Sequence, residues 1–448
     1  MRKTCVLLFS VLAFAVSAFG QQQIVTFKNG IPARFADRVT ALGGHVRAQH
    51  PVLAVIDGLT PSAIDLLKAQ TAGGISDIQP DATFVLDDAM GTAEAADVAA
   101  NDVATSPTNP AGAYFYPRQW NMRAINAPAA WAAGKFGSPT TTVAVIDTGI
   151  DYTYPDLAGH VDLSRSISFA PTDDALINTY FPSKNPVTDI NFHGTHVAST
   201  IVSSGNVIAG VTSKITLIGV KVLATDLKTG NASGSLGMVL SGVLYAADAG
   251  ADVANMSLGG GFAKVAAGPY VALINKTFTY AQKKGMLIVV AAGNSAMDMD
   301  HNGNFLVTYC NQQHVVCVSA TGPTSEAGTN GPWMNIDAPA SYTNYGRSAV
   351  DVAAPGGNYS AVYSACSQTS LVIPVCQTGT YVVGAAGTSM ATPHVAGLAA
   401  LLIDQVGKGK PALLKQRIRQ SADDLGQPGV DPFYGAGRID VKNALGLQ

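Results

Sequence analysis

The sequence predicts an α/β protein: a mostly parallel sheet with helices on both faces, preceded by a small α/β unit. Three observations carry this. Past residue 119, short Val/Ile-rich runs alternate with longer helical stretches. The runs are apolar on both faces, the pattern of strands covered from both sides. Only 13% of the 448 residues are charged, 47% are hydrophobic and 46 are Gly, which suits a large buried sheet with thin helices packed closely on it.

Composition also narrows function. A net charge of -3 supplies no basic face for phosphates and argues against nucleic-acid binding. The chain is too apolar for disorder. Of 30 acidic residues only Glu94 and Glu326 are Glu. Chemistry that needs a Glu at a defined place, such as an HExxH zinc site, is nearly excluded.

In chain order, residues 1–20 have the layout of a secretory signal peptide. Arg2 and Lys3 precede the apolar run Val6–Val16, and small residues Ser17, Ala18 and Gly20 follow. The run is shorter than the roughly 18–20 residues of a membrane span, and Cys5 comes too early to be a lipid-attachment cysteine. This predicts an exported protein, extracellular or periplasmic, off the membrane once the signal is removed. Residues 21–86 read as a small unit: Ile24–Phe27 extended, Phe35–Leu42 helical, His50–Ile56 a strand, Pro61–Gln70 a helix opened by Thr60 and Pro61, and Ile75–Leu86 a strand. That order suits a ferredoxin-like unit. From residue 87 the composition changes. Asp87, Asp88, Glu94, Asp97 and Asp102 occur with no Lys or Arg through residue 112, so 87–118 reads as an exposed linker. Residues 119–448 are the large domain. Its expected strands are Thr142–Ile146, Ile215–Leu223, Ala251–Leu258, Met286–Ala292 and Val315–Ala320, with helices such as Ser235–Ala249 and Pro269–Lys284 between them.

Export makes disulfides the expected state of Cys310, Cys317, Cys366 and Cys376. Three pairings are open; the local one, Cys310–Cys317 and Cys366–Cys376, is preferred because each pair brackets a short loop.

Four segments carry chemistry. Asp147-Thr148-Gly149 ends a predicted strand, where a carboxylate points into the crevice of an open α/β sheet. His193-Gly194-Thr195-His196 opens a predicted helix; His193 sits at its mouth and His196 packs one turn further in. Ser389 stands at the start of an Ala/Gly-rich helix whose free N–H groups favour developing negative charge. A serine needs a base and the base needs an orienting group; His193 and Asp147 supply both. Asn294 ends a fourth apolar run and can donate to an oxyanion.

Together DTG at 147–149, HGTHVA at 193–198, SLGG at 257–260, AAGN at 291–294 and GTSMATPHVAG at 387–397 closely resemble the subtilisin-like serine proteases. The resemblance spans about 330 residues, from Gln119 to YGAGRID at 434–440. It implies a subtilisin-like fold and a secreted serine endopeptidase that needs no cofactor for its chemistry. Ser389 would be the nucleophile, His193 the base, Asp147 its orienting partner and Asn294 an oxyanion donor. Ser257, Leu258, Gly259 and Gly260 look like the family's substrate-binding edge strand, with Ser233 and Gly234 on the opposing edge. The 21–86 unit looks like an inhibitory propeptide, removed by a cut in about 87–118. Partners are then protein or peptide substrates and the chain's own propeptide, with a monomer expected. An apolar primary pocket is expected rather than a dibasic one.

The sequence departs from the family at calcium. Asp156 matches one usual ligand, but the loop around Ser203–Ala209 looks shortened. Asp298, Asp300 and Asn302, followed by Gly303, open like an EF-hand loop and are a second candidate for structural Ca2+, although Tyr309 stands where the twelfth-position Glu belongs. A sedolisin-type peptidase would need a Glu base that neither Glu supplies. The competing expectation is a catalytically inactive relative acting as a binding protein.

Overall fold

A computed structural model of the chain describes residues 22–86, 89–95, 108–307 and 309–448. The expected signal segment lies outside them. The chain divides into two compact units, one ending at Asp81 and the other beginning at Ala82.

The first unit runs β1 (Gln23–Phe27), α1 (Phe35–Ala41), β2 (His45–Gln49), β3 (Leu53–Asp57), α2 (Pro61–Gln70) and β4 (Ile75–Pro80). Its antiparallel sheet has the order β2-β3-β1-β4. Val25, Phe27, Ala54 and Ile56 are buried with Phe35, Val39 and Leu67 from the helices. Thr60 caps α2 by accepting from the Ala63 N–H at 3.2 Å, and Pro61 fills the first turn, where no donor is required. Two strands differ from expectation. His50–Ile56 is not one strand: the chain turns at His50, where Leu53 N donates to His50 O at 3.1 Å, and β2 precedes the turn. Only one β2 residue is fully buried, so its sequence carries little hydrophobic alternation. Ile75–Leu86 likewise breaks at Asp81, and its second half pairs within the other unit.

The second unit begins with β5 (Thr83–Val85), β6 (Ala89–Ala95) and the short helices α3 (Trp120–Ala124) and α4 (Ala127–Ala132). There follow β7 (Thr142–Asp147), β8 (Ile167–Ser168), α5 (Pro171–Tyr180), α6 (His193–Ile201), β9 (Thr216–Lys221), β10 (Ala224–Thr225), β11 (Ala232–Ser235), α7 (Leu236–Asp248), β12 (Val253–Met256), β13 (Gly261–Ala263) and α8 (Lys264–Lys283). The chain closes with β14 (Leu287–Ala291), β15 (Phe305–Val307), β16 (Val315–Thr321), β17 (Ser325–Glu326), β18 (Trp333–Met334), β19 (Val352–Pro355), β20 (Val362–Ala365), β21 (Tyr381–Ala386), α9 (Thr388–Val406), α10 (Pro411–Gln420) and α11 (Val441–Leu445).

Seven of these strands form a wholly parallel sheet, in the order β19-β16-β14-β12-β7-β9-β8. Every residue of β7, β14 and β16 is buried, which is why their sequences are continuous Val/Ile/Ala rather than alternating. Helices α6 and α9 pack together against the sheet, as do α7 and α8. Gly and Ala let α9 run through the core: a Cβ on Gly397 would lie 2.6 Å from Val211 Cβ. Helix α8 begins earlier than expected: Pro269 lies five residues inside it. Pro393 lies inside α9. Ala89–Ala95, read in the sequence as part of an exposed linker, is a strand paired with β21. Residues 96–107 of that segment lie outside the described residues. The disulfides are Cys310–Cys317 and Cys366–Cys376, the locally bracketing pairs.

One charge pair is fully buried beside the carboxyl end of the sheet. Lys221, the last residue of β9, places Nζ 3.0 Å from Asp173 and donates to Thr188 O at 2.8 Å. Asp173 also accepts from Thr225 N at 2.8 Å. Removing one partner strands the other charge in the core. Asp173→Ala is expected to lower stability by about 3–5 kcal/mol, read from the midpoint of chemical denaturation.

Candidate active site

Asp147 is the last residue of β7, in the interior of the parallel sheet, so its carboxylate emerges at the carboxyl edge of the strands. His193 is the first residue of α6. The two side chains are buried, and His193 Nδ1 lies 2.7 Å from Asp147 Oδ1. Thr148 N donates to the same oxygen at 2.7 Å.

Backbone contact sets this distance. Gly149 has φ +114°, and a Cβ there would lie 2.4 Å from Val187 O. A Cβ on Gly194 would lie 2.1 Å from Gly149 O. The start of α6 therefore rests directly on the turn after β7, and both positions require Gly. Asp189 fastens the pair. Its Oδ1 accepts from Thr148 Oγ1 at 3.0 Å and Asn191 N at 2.9 Å; its Oδ2 accepts from Thr195 N at 2.9 Å and Thr195 Oγ1 at 2.7 Å. Thr148 Oγ1 accepts in turn from Gly194 N at 2.9 Å. Burial pushes the Asp189 carboxyl up to about 6 against these hydrogen bonds. Sequence reasoning passed over Asp189; its signal was an acidic residue four positions before the histidine of an otherwise apolar segment.

Ser389 is the second residue of α9, in the first turn of the helix. Pro393 has no N–H to return to Ser389 O, four residues back. Ser257 Oγ takes that place, donating to Ser389 O at 2.8 Å, while Ser389 Oγ donates to Ser257 O at 3.2 Å. Asn255 Nδ2 orients Ser257 Oγ at 2.9 Å. Asn294 follows β14. Its Oδ1 accepts from Thr388 N at 2.8 Å and Thr388 Oγ1 at 2.9 Å, and Thr388 Oγ1 accepts from Gly293 N at 3.0 Å. With the oxygen end held by two donors, the amide nitrogen is the end left to donate elsewhere. Thr388 is thus the residue that orients Asn294, and the sequence reading did not single it out.

The two expected substrate edges hold a strand of the chain itself. In β11, Ser233 pairs with Val85 and Gly234 with Phe84; Leu86 N donates to Ala232 O at 2.8 Å. On the facing side Ser257 and Leu258 are buried and Gly259 is half-buried, and Gly260 gives way to Phe84: a Cβ there would lie 2.0 Å from its ring. Phe84 meets Phe262 edge-to-face at 5.4 Å, and Phe262 stacks on Tyr270 at 4.8 Å. The slot that receives Phe84 is aromatic and apolar.

The other two histidines of these motifs are buried and neutral. Burial lowers His196 to about 3 and His394 to about 4. His196 Nε2 donates to Val362 O at 3.0 Å. Asn121 Nδ2 donates to His394 Nε2 at 2.8 Å, so Nδ1–H donates to Met390 O at 2.8 Å. His196 ties α6 to β20, and His394 ties α9 to α3.

Neither calcium candidate forms a cage of oxygens. Asp298 accepts from Asp300 N at 2.9 Å and pairs with His301 Nδ1 at 3.0 Å, whereas Asp300 accepts from Ser348 N at 3.3 Å and from Ser348 Oγ. The two carboxylates are committed to different donors. Asn302 Oδ1 is left without a hydrogen bond, but one oxygen is no calcium site. Among the described residues no group of three or more His, Cys, Asp and Glu could hold a metal. Asp156 is surrounded by N–H groups: it accepts from Asn206 N at 2.6 Å and from Val207 N and Ile208 N at 2.9 Å. Gln119 clamps the same loop, accepting from Ala209 N at 2.7 Å and donating to Ala209 O at 2.9 Å. Donors aimed at the carboxylate do not fit a cation beside it.

Residues 138–437 match the model of the Subtilase family. The chain belongs to the subtilase family. It is 31% identical to thermitase of Thermoactinomyces vulgaris over 344 residues, 76% of this chain and 99% of that one. It is 32% identical to a thermophilic serine proteinase of Bacillus sp. (strain AK1) over 75% of this chain and 69% of that protein. In fold it is similar to the epidermin leader peptide processing serine protease of Staphylococcus aureus, with TM-score 0.69, 23% identity and coverage of 95% of this chain and 98% of that one. This subtilase is a serine endopeptidase that acts on peptide substrates and, like its family, needs no cofactor for catalysis. Among the described residues no helix is long and apolar enough to cross a membrane.

The Asp156 knot gives a stability prediction. Burial, acting against three backbone hydrogen bonds, raises its carboxyl to about 6 from 3.8. The folded state therefore holds the proton more tightly than the unfolded one. This contribution to stability is complete below about pH 4 and is lost as pH rises through about 6. Asp156→Asn removes that titration but turns an NH2 toward one of the three donors. The variant should lose about 1–3 kcal/mol at pH 8 and show a flatter stability profile between pH 4 and 7 in denaturant titrations.

Proposed function

We propose that this subtilase is an exported endopeptidase, made as a zymogen, that cleaves peptide bonds through Ser389, His193 and Asp147. The observation that carries the reading is the 2.7 Å contact between His193 Nδ1 and Asp147 Oδ1 at the mouth of the helix that faces the strand ends. The Asp147 carboxylate accepts from Nδ1–H and fixes the tautomer with Nε2 bare. Nε2 takes the Ser389 hydroxyl proton as Oγ attacks the scissile carbonyl, and later gives it to the leaving amine. The oxyanion forms at the amino end of α9, where the Ser389 N–H and the Asn294 amide donate to it. Those donors are in place before reaction, because Thr388 holds Asn294 and the helix holds Ser389. Water then hydrolyses the acyl-enzyme by the same proton route.

The remaining parts follow from sequence and contact. Residues 1–20 direct export, in keeping with two disulfides. Residues 21–86 serve as propeptide and 119–448 as the monomeric catalytic domain, with processing in 87–118. The strand Thr83–Val85 on β11 supports this, since it lies where an extended substrate would pair. The Phe84 slot assigns an apolar or aromatic residue to that subsite.

Ser389→Ala is expected to accumulate as an uncut precursor on gels, and wild-type protein to react at Ser389 with a fluorophosphonate. Normal processing in that variant would show that another group is the nucleophile, and absence of both labelling and hydrolysis would favour an inactive binding protein. Asn294→Ala should process slowly, with kcat lower by roughly 100–1000-fold and KM little changed.

A further inference from the structure

We infer that β21 is an extended substrate-recognition edge for the carboxyl side of the scissile bond, and that Ala89–Ala95 is its resident occupant. The inference rests on the assignment of Ser389 as nucleophile. Strand β21 leads, through Gly387 and Thr388, straight to that serine. Its antiparallel register with β6 starts at Ala386 against Ala89, passes through Val383 against Ala93, and ends at Tyr381 against Ala95. On the other side of the site, Thr83–Leu86 pairs with β11. In chain order the segment on β11 precedes the segment on β21, the strand that leads to the serine. At roughly 3.3 Å per residue, the second pairing extends about 20 Å from the serine.

The chemistry of this edge is that of strand addition. Val382, Val383, Gly384 and Ala385 are buried, so β21 offers its partner main-chain N–H and C=O groups more than side chains. Its other edge is already occupied by β20, in register from Val362 against Ala385 to Ala365 against Val382. The loop joining the two strands is closed by Cys366–Cys376, and Cys366 N donates to Tyr381 O at 3.0 Å. The edge is therefore held in place before a partner arrives, and little ordering cost is left for binding. The occupant fits such an edge: Ala89, Gly91, Thr92, Ala93 and Ala95 are small, and the segment contains no Pro to interrupt a ladder. The substrate class is an extended, unfolded polypeptide with about seven Pro-free residues after the cleaved bond. As long as Ala89–Ala95 stays joined to the catalytic domain, it competes for this edge at high local concentration. Separation of the amino-terminal unit alone does not clear it.

The test uses mature enzyme and synthetic peptides that begin at Thr83 and end at Met90, Thr92, Ala95 or Val98, with the cleaved bond read by mass spectrometry. Cleavage between Leu86 and Ala89 is expected, with kcat/KM rising about tenfold from the Met90 to the Ala95 peptide and no further rise to Val98. N-methylation of both Ala93 and Glu94 removes whichever N–H faces β21 and should return the rate to that of the Thr92 peptide. Acetylated Ala89–Ala95 peptide should inhibit cleavage of the Ala95 peptide more strongly than that of the Met90 peptide. Equal rates for all four lengths, indifference to N-methylation, or cleavage outside 86–89 would overturn the inference while leaving the protease intact. Failure of the enzyme to hydrolyse casein or to label at Ser389 would instead overturn the reading on which it rests.

Discussion

Two turns meet with no room between them for a side chain, and the candidate active site depends on that contact. The turn after β7 presents Gly149 O to the first residues of α6, and Gly194 comes so close that a methyl group would overlap it. The Asp147–His193 distance is therefore fixed by packed backbone rather than by the rotamer preferences of two side chains. Asp189 supplies the polar half of the same joint, with four donors from both sides of it. A buried carboxylate is costly unless its oxygens are satisfied, and here satisfying them brings the two turns together.

The same economy recurs around the serine. Pro393 removes one helical hydrogen bond, and the freed carbonyl is the group to which Ser257 attaches. A break in a helix thus becomes a joint between α9 and the strand that borders the cleft. Thr388 joins α9 to the end of β14 by way of Asn294 and Gly293. Three sheet ends, those of β7, β12 and β14, are each coupled to a helix start by one or two short polar contacts. The sheet provides rigidity, and these contacts transfer it to the side chains of the candidate site.

Much of this was legible in the sequence because the decisive residues sit where periodicity changes. Asp147 and Asn294 each follow a continuous apolar run, and His193 and Ser389 each open a small-residue helix. What stayed illegible has physical reasons. β2 and β6 are strands by virtue of their partners: β2 buries little, and the composition of Ala89–Ala95 is that of a linker until β21 supplies a ladder. Asp156 and the Asp298–Asn302 loop show a second limit. Oxygen-rich patterns look alike whether they face a cation or backbone N–H groups, and only the direction of the neighbouring donors separates the two cases. Asp189 and Thr388 were missed because their work is done through other residues, which leaves no motif spacing of their own.

A strand edge that accepts any extended backbone has no means of refusing its own kind. β11 and β21 are covered by Thr83–Val85 and Ala89–Ala95, so the full chain presents neither edge to solution. An enzyme stripped of both segments carries two bare ladders, a standing invitation to pair with unfolded neighbours or with another copy. In the full chain the covering segments thus guard solubility by keeping both ladders paired.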